Sequence, residues 1–243
     1  MSADLWGWLP PILATDAPLL PSGAMVWIGM RIAWSVVIAW IGLTLFTRWW
    51  PAGAKTAPLP RWGVAALLAA SAWLPGPYAS AYWLGLAFQM PSLSTVLLCS
   101  VWLYQDLAGN GKSNSYRTRA PDWRAMALAG VGILAGWALL LDTLAILPVQ
   151  LYAAGFSPVA AGLAMACTLM ALAVGNTNQS RGVSHAWVVP AALVLFVVCR
   201  LPTGNMWDAV LDPWLWVVLQ VHWARQLLIY YKNRSEVSNT CEG

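Results

Sequence analysis

Five polar side chains stand where an apolar chain has least reason to place them: Arg31, Gln89, Asp142, His222 and Arg225, all within or at the edges of long hydrophobic stretches. A charge in such surroundings is costly, so it must face protein or water and find a partner. Arg31 lies about two turns into the first stretch and Asp142 near the far end of the fourth. Both are roughly 8–10 Å deep from the same face by the helical rise. That match allows an Arg31–Asp142 ion pair, which would join two helices or mark an ion or substrate path. The plainer alternative has Arg31 reaching outward along its apolar stem and Asp142 bonding a hydroxyl such as Thr143. A third has the pair meeting a partner subunit. His222 and Arg225, three apart, share a helix face with Gln226, and this stripe is expected to point into the bundle. Gln89 precedes Pro91 in FQMPS, inside an otherwise apolar run.

Much chemistry is excluded. A haem held by two histidines needs both at one depth, whereas His185 falls at the mouth of one span and His222 near the middle of another. No cluster of Cys, His or carboxylate has metal-ligand spacing, and Cys99, Cys167, Cys199 and Cys241 form no CxxC. There is no GxxxxGK[ST] phosphate loop, GxSxG, HExxH or pair of carboxylates at catalytic spacing. A retinal protein of the microbial rhodopsin type needs a lysine in its last helix, but Lys55, Lys112 and Lys232 lie in loops or the tail. Catalytic residues, metal and cofactor are therefore all expected to be absent.

The elements carrying these side chains follow from composition. Of 243 residues 60% are hydrophobic and 9% charged, with a mean hydropathy of +0.62, against about 25% charged in a soluble domain. The 18 tryptophans suit the headgroup level of a bilayer, where an indole buries its ring and wets its N–H. The fold expected is an all-α polytopic transmembrane helix bundle of about seven spans. Residues 1–23 form an outer interfacial segment, 24–231 the bundle and 232–243 a polar cytoplasmic tail. The spans begin with Ala24–Phe46, and the fourth is Trp123–Leu147. The fifth runs from about Ser157 to Val174, the sixth from Trp187 to Leu201 and the seventh from Pro213 to Tyr231. Between the first and fourth, a short stretch from Trp62 ends at the LPGP break (Leu74–Pro77), and a long one runs from Ala79 to Leu107. These form either two crossings or a re-entrant hairpin, tolerated only if its irregular backbone is buried in protein.

Charge sets the orientation. With the N-terminus outside and the C-terminus cytoplasmic, every basic residue except Arg31 and Arg200 falls on or near the cytoplasmic face, as the positive-inside rule requires. Basic loops at 47–61 and 108–124 imply an even number of crossings between them. The short-loop placement of the positive charge is a membrane signal and not a nucleic-acid footprint. Gly132-x-x-x-Gly136 in the fourth span offers a small-residue face, with the Ala-rich fifth span as its expected complement. Trp27, Trp34, Trp137, Trp214 and Trp216 form an outer aromatic layer, read first as an anchor and second as a seat for an apolar ligand. The function expected by elimination is a non-catalytic accessory or assembly subunit of a larger complex in a bacterial inner (plasma) membrane, with lipid and other membrane subunits as partners. The alternative is a small transporter or hydrophobic-ligand-binding protein, its path lined by Arg31, Asp142, Gln89, His222 and Arg225.

Overall fold

The computed structural model describes residues 20–50, 59–108, 123–148, 150–174 and 187–241. These residues are helical and contain no strand. Among the described residues, seven helices exceed ten residues: α1 (Gly23–Trp49), α2 (Leu59–Ser71), α4 (Leu93–Leu107), α5 (Trp123–Thr143), α7 (Pro158–Val174), α8 (Val188–Cys199) and α10 (Pro213–Cys241). Three short ones, α3 (Ser80–Phe88), α6 (Leu151–Ala154) and α9 (Met206–Val210), join them. Two stretches, α1 and Met126–Thr143 of α5, are long and apolar enough to cross a membrane. Shorter apolar helices include α4 and α8.

Side-chain contacts show that successive long helices reverse direction. Near its start α1 meets the end of α2, where Arg31 reaches the Ala72 carbonyl and Ser35 the Ala69 carbonyl. Further along, Ala39 and Leu43 pack with Ala65 of α2 and Leu107 of α4, and Trp40 stacks on Trp102 of α4 at 4.9 Å. So α2 runs against α1 and α4 runs with it. α4 then packs against α8, with Leu93 in one core with Leu193, Phe196 and Leu201. α5 lies against α10 in antiparallel register, Gly136 facing Trp216 and Gly132 facing Leu219.

The hydrogen-bond requirement of helix ends explains where this order is set. A helix leaves its first N–H groups without intrahelical partners, and the helices running away from one end of the bundle all start on a capping side chain there. Ser22 accepts from Met25 N, Ser92 from Thr95 N, Ser157 from Val159 N and Asp212 from Leu215 N. Ser157 and Asp212 are each followed by proline, whose missing N–H costs nothing at a first helical position.

The long third stretch is not one helix. It divides into α3 and α4 at Gln89–Ser92, where Pro91 cannot continue the ladder and Gln89 turns to φ 59°. With α2 at 13 residues and α4 at 15, each arm is roughly 20 Å long, short of a hydrocarbon core of about 30 Å. The two arms return to the same end of the bundle, because Arg61 at the start of α2 donates to the Asp106 carbonyl at the end of α4 at 3.4 Å. The expected pairing of Gly132 and Gly136 with the Ala-rich helix α7 is corrected. Their face is filled by Trp216 and Leu219 of α10, because the missing side chains make a hollow that an indole fits and a second small-residue face would leave empty.

Candidate functional site

The polar side chains collect in a layer at the end of the bundle where α1, α4, α7 and α10 begin and α2, α5 and α8 finish. Three groups make up this layer.

Arg31 is buried, 8% exposed, on α1. One guanidinium nitrogen, Nη1, donates to the Ala72 carbonyl at 3.1 Å and the Leu74 carbonyl at 3.2 Å, just beyond the last turn of α2. A cation there complements both the unsatisfied carbonyls and the negative end of the helix dipole. The Trp27 ring stacks on the guanidinium at 4.4 Å, and the Trp73 ring lies 6.0 Å away. Beneath, Ser35 bonds the Ala69 carbonyl and accepts from Trp73 Nε1, which fixes the Trp73 indole. The Nε of Arg31 is buried and has no hydrogen-bond partner among the described residues.

The second group closes the α3–α4 break. Trp34 Nε1 donates to the Gln89 carbonyl at 2.9 Å. On the other side of Pro91, Ser92 N donates to Asp212 Oδ2 at 2.9 Å and the Thr95 hydroxyl donates to the same oxygen at 2.6 Å. The other oxygen of Asp212 caps α10, so one carboxylate holds two helix N-termini. Gln89 therefore acts through its backbone, while its side chain is exposed.

The third group fastens the 150–157 connector to the 201–210 loop. Asp142 accepts from Tyr152 N at 2.7 Å. The Tyr152 phenol and the Thr203 hydroxyl both donate to Asp208 Oδ2. Fully buried Asn205 bridges the segments, donating to the Tyr152 carbonyl and accepting from Trp207 N, while Trp207 Nε1 reaches the Leu151 carbonyl. Gly155 is required because a Cβ there would run into Asn205 and the Trp207 ring. Burial, then the bond to the Asp208 carboxylate, push the Tyr152 phenol from its ordinary 10.0 up to about 12.

The five side chains singled out from the sequence do not form one site. Arg31 and Asp142 share the layer but do not pair. Arg31 lies on carbonyls of the α2 end and Asp142 on the connector's N–H. Thr143 bonds the Leu140 carbonyl and is not a partner of Asp142. His222 and Arg225 are exposed, which corrects the expectation of an inward stripe. α10 presents Trp216, Leu219 and Trp223 to α5, and residues 222 and 225 fall outside that face at the helical period. Arg31 and Arg200 lie at this end and Arg48 and Arg61 at the other, as expected. The residues 1–19, Lys55, Lys112, Arg117, Arg119, Arg181 and His185 lie outside the described residues.

No family model, curated protein or solved structure matches the sequence. The chemistry rests on the geometry alone. Among the described residues no three His, Cys, Asp or Glu side chains come together. Asp142, Asp208 and Asp212 are each bound to N–H or O–H donors, an arrangement that positions backbone. Asp208, Asp212, Asn205 and Tyr152 were not singled out from the sequence. Asp212-Pro213 and Ser92 before an apolar run are cap signatures that signal the caps of α10 and α4 but not the bridge from Asp212 to Ser92.

Proposed function

We propose that this chain is an integral membrane protein of the bacterial inner membrane, crossing with alternating helices from an outer N-terminus to a cytoplasmic C-terminus. We read its role as a non-catalytic accessory or assembly subunit of a larger membrane complex. The observation that carries this reading is how the bundle divides its side chains. The carboxylates of the polar layer join helix ends and connectors, while the long helices turn large apolar side chains outward. In α5 only 11% of the most apolar stretch is buried, and Val131, Leu134 and Trp137 are exposed. Such a surface needs lipid or another apolar protein against it. A transporter lining its path with the five polar residues is less well supported, because His222 and Arg225 point away from the α5 face and Arg31 and Asp142 are engaged separately.

Native mass spectrometry of the chain extracted from its own membrane in mild detergent tests the role. A protein partner at fixed ratio, lost when Val131 and Leu134 are changed to glutamine, is the expected result. A lone chain carrying a defined small-molecule mass would replace this reading with the ligand-binding one.

A further inference from the structure

Arg31 is a buried cation with three of its five N–H donors unused among the described residues. A guanidinium has five N–H donors in a planar fork. Nη1 faces the Ala72 and Leu74 carbonyls, whereas Nη2 and Nε meet no protein acceptor among the described residues, and Nε is itself buried. The Nε–Nη2 edge is a two-donor edge of the kind that binds two oxygens of one carboxylate or phosphate side by side. Charge leads to the same place. The helix dipole at the end of α2 supplies the equivalent of roughly half a negative charge, which leaves the rest of the positive charge without a counter-ion among the described residues. The carboxylates of the layer, Asp142, Asp208 and Asp212, are all bound to other donors.

The surroundings select the anion. Trp27 and Trp73 flank the guanidinium and are each about half exposed, at 51% and 45%, and Tyr78 and Trp83, just after the α2 end in the chain, are more exposed still. Exposed indoles and phenols gathered at one end of an apolar bundle are the signature of the headgroup level, where phosphate is the abundant oxyanion. Arginine suits such a group better than lysine because its fork matches two oxygens at once.

We propose that Arg31, with Trp27 and Trp73 as its walls, binds a phosphate-type oxyanion through its Nε–Nη2 edge while Nη1 holds the end of α2. The anion is supplied either by a phospholipid headgroup or by free phosphate. The headgroup source rests on the membrane reading above; the free-phosphate source does not.

The test uses the full chain, delipidated in a phosphate-free maltoside detergent. Phosphatidylglycerol is then added and retention read by native mass spectrometry, and inorganic phosphate is added separately and read as a rise in unfolding temperature. Arg31→Gln removes the fork, and Arg31→Lys keeps a cation but not the two-donor edge. Trp27→Glu places a carboxylate four residues before Arg31, where the helix pairs the two and fills the edge from within. The wild-type chain is expected to retain one phospholipid or to be stabilised by phosphate, with affinity about tenfold lower in all three variants, as loss of a two-point contact predicts. Retention of lipid alone assigns the headgroup, and stabilisation by phosphate alone assigns the free anion. Equal response of wild type and variants to both ligands overturns the proposal. If Arg31→Gln does not fold, Arg31→Lys and Trp27→Glu carry the comparison. Alkaline carbonate extraction separates the two readings. A chain washed off membranes fails the membrane reading whatever it binds, and one that stays but shows no Arg31 dependence fails only the anion site.

Discussion

Tyr152 shows how this chain uses ionisable groups: the phenol is a donor to the Asp208 carboxylate and works only while protonated. Its folded value of about 12 lies above the ordinary 10.0. The stabilisation it brings is therefore complete below pH 10 and is lost as the pH rises through about 12. In an alkaline titration, the tyrosinate absorbance of wild type minus that of Tyr152→Phe should step near pH 12; a step at 10 would show the phenol free of Asp208. The sequence exposed Arg31 and Asp142 as costly charges and placed both at one end correctly. It left a pair between them open, because depth along a helix is readable while rotation about the axis is not. Backbone carbonyls and N–H groups, the partners these two side chains actually take, leave no mark in residue type. His222 and Arg225 were misread for the same rotational reason.

Helix ends were better encoded than helix faces. Ser22, Ser92, Ser157-Pro158 and Asp212-Pro213 each announce a start, and the structure begins a helix directly after each. Pro91 explains the α3–α4 break, whose loose backbone is then secured by Trp34 and Asp212 from distant parts of the chain. The glycine pair in α5 was visible as a small-residue face, but its partner was not, since several helices offer side chains of suitable size. That partner is now testable. Replacing Gly136 with leucine drives a side chain into the Trp216 indole, an overpacking that typically costs about 1–3 kcal/mol. A lower unfolding temperature in detergent is expected, relieved in the double variant with Trp216→Ala; a double variant no better than the single would detach Gly136 from α10.

At the scale of the molecule, the Arg61–Asp106 contact puts the start of α2 and the end of α4 at one end of the bundle; on the membrane reading proposed above, an even number of crossings would lie between them. In a cysteine-free background, single cysteines at Lys55 and Lys112 should react with a membrane-impermeant maleimide only when the cytoplasmic side is open. A cysteine at Gly204 should react only from outside. A cysteine at Gly76, in the turn between the two arms, decides between a full crossing, which labels from outside, and a re-entrant hairpin, which does not. Reaction of Lys55 and Lys112 positions from opposite sides would break the topology. Asp212 also carries a consequence for biogenesis. Its carboxylate braces the N-terminus of α4 from 120 residues downstream of Ser92, so that helix end has only its own Ser92 cap while everything between is translated. A ribosome stalled before codon 212 would hold a nascent chain whose first half is made but not yet locked.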